Sequence, residues 1–291
     1  MVARGLDPGA GLLPRSVRWP TLALLAGVLT TLFAIWIFPY GRLARAISDR
    51  SEALVGVQIE LDDLAPHLGL SGLGLAATNV RATLPRGDAL LLPRVFLRPA
   101  LSLGWLRGEP SFAVDVDGGG LGRVAGEIAV GAHGGFRGDL DGLALALLPL
   151  DQAVPGLSME GRVTAAVDVA TGDAGRPEGT LVFHATEGNL MGPGLPIAVP
   201  FARFEGDLAL GGDVFARVAK LELDGPMLFA SATGTVALAE VAGQEALDLA
   251  LDVRPAGRAL VPVLRDLGID AQPGQTTRLA ITGTLARPTF R

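Results

Sequence analysis

The sequence predicts a mainly β protein: a single N-terminal transmembrane helix followed by a curved, mostly antiparallel β-sheet body with a few short helices. Three observations lead there. Residues 19–41 run for 23 positions without a charge. From residue 57 onward, short apolar–polar alternations are broken by Gly and Pro. A glycine then recurs in the middle of one such segment after another.

Taken in order, residues 1–18 carry Gly, Pro and Arg without periodicity and read as a disordered cytoplasmic tail. The run from Trp19 to Gly41 follows. At about 1.5 Å per residue, roughly 20 such residues cross the hydrocarbon of a bilayer. A cleaved signal has a shorter apolar region, about 7–15 residues, and a small-residue cleavage site. Here the run ends instead in Phe38-Pro39-Tyr40. Trp19, Trp36 and Tyr40 lie towards its ends, where amphipathic rings favour the headgroup layer. The expectation is an uncleaved anchor in the lipid bilayer. Arg4, Arg15 and Arg18 precede it and Arg42, Arg45 and Arg50 follow, so charge alone leaves its orientation open. Over residues 42–56, Leu43, Ala46, Ile47 and Leu54 alternate with charged residues at helical spacing, which predicts a juxtamembrane helix ending at Gly56.

Residues 57–291 read as one β-rich domain. Strands are predicted at 57–61, 79–84, 90–97 and 111–116. Seven more are centred on Gly126, Gly138, Gly161, Gly179, Gly206, Gly234 and Gly283. A glycine inside a strand weakens it, so its recurrence points to bulges or bends that let a sheet curl. A second repeat pairs residues 143–154 with 249–260 without gaps, each read as strand, proline stop and short helical segment. Its 106-residue spacing is read as duplication of a strand–helix–strand unit.

The strands have explicit faces. Leu247, Leu249, Leu251 and Val253 oppose Asp248, Ala250, Asp252 and Arg254. With few helices to cover it, the apolar face either closes into a core or remains as a lipid-holding trough.

Composition narrows the chemistry. The chain has 24 basic and 30 acidic residues, a net charge of −6, which argues against a nucleic-acid partner. It has no cysteine, and Lys220 is its only lysine. His67, His133 and His184 are isolated, and Ser158 has no histidine near it. The Gly118–Gly122 run has no following lysine and leads into a strand, so it reads as a hairpin turn and not a phosphate cradle. The pairs Asp115/Asp117 and Asp139/Asp141 lack the spacing of a calcium loop. No catalytic, cofactor-binding or metal-binding residue is assigned, and the expectation is a protein that is not an enzyme.

The segment Phe38-Pro39-Tyr40-Gly41-Arg42-Leu43 after a single span resembles the type II secretion system protein N family in its delta-proteobacterial form. Leu64-Ala65-Pro66 and Leu101-Ser102-Leu103 before Leu106-Arg107-Gly108 carry the same resemblance. The closing run from Leu279 to Pro288 is similar to the strand endings of AsmA-like proteins. The resemblance covers most of residues 19–291. It implies a single-pass protein of the bacterial inner membrane with its bulk in the periplasm, partnered by other inner-membrane secretion components. The AsmA-like part implies phospholipid as an alternative ligand. Neither implies catalytic residues.

Overall fold

The computed structural model describes residues 58–291 except 62, 70–71, 84–88, 101–108, 132, 148–149, 151–155, 173–174, 193–196, 213, 238–243, 267 and 285–286. Upstream it describes 24–27, 29–30, 40–42, 44–45 and 48, all helical. The expected tail at 1–18, span at 19–41 and helix at 42–56 otherwise lie outside the described residues. No helix among the described residues is long and apolar enough to cross a membrane.

The body is a single antiparallel sheet of fifteen strands. Its first members are β1 (Gln58–Glu60), β2 (Asp63–Gly69), β3 (Gly72–Thr83), β4 (Ala89–Ala100), β5 (Ser111–Asp117), β6 (Arg123–Ala129) and β7 (Gly135–Ala144). Next come β8 (Ser158–Thr171), β9 (Pro177–Met191), β10 (Val199–Leu210), β11 (Ala216–Asp224) and β12 (Leu228–Val236). The last are β13 (Leu247–Pro255), β14 (Thr277–Thr284) and β15 (Arg287–Phe290). β1 and β2 share one edge of β3, and from β3 to β15 each strand pairs with the next in sequence. All seven glycine-centred strands form.

Period-two alternation sorts the side chains onto two faces. One register row crosses seven strands as Ala165, Phe183, Gly206, Leu221, Ala232, Leu251 and Leu279. The row beside it, one residue away on each strand, runs Thr164, His184, Glu205, Glu222, Ser231, Asp252 and Arg278. The first row is apolar throughout and the second polar throughout. A one-residue slip of any strand would exchange the two, so the pattern itself pins the register.

Two apolar clusters sit on the first face. One gathers Leu145, Met159, Val163, Ala165, Ala185, Phe201 and Leu223, with Leu150 packed against it. Leu145 comes from the 3₁₀ turn Leu145–Leu147, which follows β7. The other gathers Val199, Val253, Leu260, Leu264, Ile269 and Ala271. Leu260 and Leu264 come from the turn Arg258–Leu260 and the helix Val261–Asp266, between β13 and β14. Short helical segments therefore fold back onto the sheet and cover part of its apolar side.

Three strands escape the sequence reading, β2, β11 and β15, and β3 begins seven residues before the predicted 79. In β11 the alternation is interrupted because the register shifts between Val218 and Leu221, which puts two residues opposite one. That bulge keeps both apolar side chains on one face while erasing the period-two signal. β2 contains Pro66 and β15 contains Pro288, residues that argue against a strand unless it lies at an edge. Both are edge strands. Ala280 and Arg291 exchange two backbone hydrogen bonds, so by alternation the nitrogen of Pro288 points to the open side.

The two copies of the 143–154 and 249–260 repeat differ in conformation. Leu145–Leu147 is a 3₁₀ turn, whereas the matched residues 251–253 lie inside β13. The shared feature is a helical turn placed between two adjacent antiparallel strands, not a residue-by-residue match.

Candidate functional site

On the polar face the residue types that carry chemistry are dispersed and mostly paired. The Arg123 guanidinium donates to both carboxylate oxygens of Asp115, from Nε at 2.9 Å. That bond holds the Asp115 carboxyl below its ordinary pKa. Asp117 accepts from the backbone N–H of Gly119 at 2.9 Å, tying the 3₁₀ turn Gly119–Leu121 that joins β5 to β6. The glycine run therefore makes a hairpin connection. Arg162 extends across the same end, donating to the carbonyls of Gly142 and Gly120 at 3.0 and 3.1 Å.

The three histidines stay apart. The His67 ring on β2 lies 5.1 Å from that of Phe96 on β4, centroid to centroid. His133 sits in a turn with Nδ1 3.3 Å from the carbonyl of Thr171. His184 on β9 places Nδ1 3.0 Å from Oε1 of Glu205 on β10. Ser158 opens β8. Among the described residues, no group of three or more His, Asp or Glu could hold a metal ion.

The densest charge cluster spans β9 to β11. Lys220 reaches Oε2 of Glu205 at 3.3 Å and Glu222 at 3.0 Å, and Arg203 lies 3.7 Å from Glu205 and 3.8 Å from Asp224. Donation from Lys220 lowers the pKa of Glu205, and donation to Glu222 and then Glu205 raises that of Lys220. Sequence reading missed this cluster because β11 was not predicted, so Lys220 had no register partner. The signal available was the spacing of Arg203 with Glu205 and of Lys220 with Glu222, two apart on alternating segments.

Among the shallow grooves that open on this polar face are one over its first half and one over its middle. One, of about 640 Å³, runs over β2 to β7 and is lined by His67, Phe96, Arg98, Asp115, Glu127 and Arg137. The other, of about 500 Å³, lies over β7 to β11 around Ala166, Val182, His184, Glu205 and Lys220.

The opposite face is divided. Over β8 to β13 its residues reach deep burial, with Val163 at 4%, Ala185 at 0% and Val253 at 3% exposure. Over β4 to β6 none of them does. Val95, Leu97, Phe112, Val114, Val116 and Val124 are half-buried and Ile128 is 38% exposed. Among the described residues the face is deeply buried over β8 to β13 and at Ala77 on β3, the register partner of Val95, and half-buried over β4 to β6 between them.

Comparison with known proteins finds no family model, no curated protein and no solved structure that matches the chain.

Proposed function

We propose that the protein is a non-catalytic scaffold of the bacterial inner membrane, anchored through residues 19–41, with its curved sheet in the periplasm as an accessory of type II protein secretion. The observation that carries this reading is the use of the side chains. One face is laced by cross-strand ion pairs, the other is apolar, and the nucleophiles, acids and bases are dispersed among the described residues. A broad sheet built this way presents surface, not chemistry. The resemblance of residues 38–43 and 101–108 to secretion protein N supplies the specific machine. Co-purification tests it: at native expression, the tagged full chain is expected to recover other inner-membrane secretion components. Recovery of none of them overturns the reading.

A second reading, AsmA-like carriage of phospholipid, is favoured by the half-bare apolar residues of β4 to β6. The mid-strand glycines support the curvature it needs. Mass spectrometry of the purified protein separates the two. Stoichiometric phospholipid favours carriage, and none, with secretion partners present, leaves the scaffold alone.

A further inference from the structure

We propose that a trench across the polar face is the docking site for an extended, basic segment of a partner protein, an inference that rests on the scaffold reading above. The groove over β2 to β7 and the groove over β7 to β11 meet at Asp139, which lines both. Beneath them lies one register row, unbroken from Phe96 on β4 through Ala125, Asp139, Ala166 and Val182 to Asp207 on β10. Asp115 on β5 completes the row, which holds no basic residue. Its side chains are mostly small. Two residues away along the strands stand longer ones, Glu127 and Arg137 on one side, His184 and Glu205 on the other. A low floor between taller walls makes the trench, and Val182, 48% exposed, lies open on that floor.

Charge selects the occupant. The cations beside the trench are engaged, Arg123 by Asp115, Arg137 by Asp168, and Lys220 by Glu205 and Glu222. Asp139 and Asp207 are exposed on the floor and make no ion pair with any described residue. Together the two grooves are lined by five carboxylates and three Lys or Arg cations, so a basic partner complements them. Spacing selects its conformation. Asp139 and Asp207 are three strands apart, about 14 Å, which four residues of an extended segment cover. Side chains at i and i+4 of such a segment point the same way, and the one at i+2 falls midway, over Ala166 and Val182. The motif that fits is therefore basic, any, apolar, any, basic. In a helix the same distance takes about nine or ten residues, which turns the second side chain away from the first. From β4 to β10 the trench is about 29 Å long, room for roughly nine extended residues.

Fluorescence anisotropy tests the proposal on the full chain in phosphatidylcholine nanodiscs. The probe is a fluorescein-labelled nine-residue peptide of serine and threonine with lysine, valine and lysine at alternate central positions. One control replaces both lysines by glutamate, and a second moves one lysine by a single residue, to the other side of the extended chain. Saturable binding is expected for the probe and at least ten-fold weaker binding for each control. Asp139→Asn and Asp207→Asn should each weaken the probe at least three-fold, and Val182→Arg, which fills the floor, at least ten-fold. Asp248→Asn removes the same charge from β13, outside the trench, and should leave binding unchanged. All four positions are exposed, so the variants are expected to fold, which their thermal melts verify. Equal binding of the shifted-lysine control overturns the proposal, as does indifference to both Asp139→Asn and Asp207→Asn. So does an equal loss from Asp248→Asn, or a neutral oligosaccharide that binds where Val182→Arg blocks it while the peptide does not bind. Failure of the peptide while secretion components still co-purify removes this inference and leaves the scaffold standing.

Discussion

Arg278 and Asp252 stand directly opposite one another on β14 and β13, and the guanidinium donates to both carboxylate oxygens at 2.9 and 3.1 Å. That bond lowers the pKa of Asp252, as Arg123 lowers that of Asp115 and Lys220 that of Glu205. Each carboxylate is thus more acidic folded than unfolded. The stability it contributes is fully present above the unfolded value, about 4, and is lost as pH falls through the lower folded value. Thermal melts should therefore be flat from pH 8 to about 5.5 and fall below about pH 4, and Arg278→Ala should blunt that acid-side loss. Glycines supply a second residue-scale test. A Cβ placed at Gly206 would overlap the Phe183 ring on the facing strand. Gly206→Val is expected to cost about 1–3 kcal/mol in denaturant unfolding, as overpacking of a filled site does. At Gly179 the backbone itself is demanding, with φ of +144° and no room beside the carbonyl of Asp168.

At the scale of elements, the short helix Val261–Asp266 does the covering that a second sheet would do in a sandwich. Leu260 is 2% and Leu264 5% exposed, so truncating either to Ala should cost about 2–5 kcal/mol. The loss should be local. Hydrogen exchange after Leu264→Ala should quicken in β13 to β15 while β8 and β9, held by the other cluster, keep their protection. The same elements show what a sequence reader can and cannot see. Strands with strict alternation, such as β13, are legible because one face is buried and the other is not. β11 is illegible because a bulge breaks its period, and β2 and β15 because proline signals a break until the strand is known to lie at an edge. The repeat at 143 and 249 resembled a duplication through shared Leu and Ala, but the backbone follows each segment's own packing. Of the candidate surfaces, the existence of an apolar face was legible from Leu247 to Val253. Which part of it stays half-buried was not, since that depends on where Leu145 and Leu260 fold back.

Across the whole molecule, no strand from β4 onward waits for a distant partner, because the order in space is the order in the chain. Contacts of this kind are close in sequence, so loop-closure entropy is paid in small steps and folding is expected to be fast for so β-rich a protein. The architecture is quasi-one-dimensional, like a repeat protein, and its stability should be distributed strand by strand. A chain stopped after residue 237 retains every member of the first cluster. It should therefore keep a protease-resistant β3 to β10 while losing the second cluster, and full unfolding of β3 to β10 would contradict this. Growth in chain order also carries a consequence for synthesis. As residues emerge N-terminus first, each new strand finds its template already in place. The sheet can thus be laid down behind the advancing chain like a zip, without waiting for the last residue.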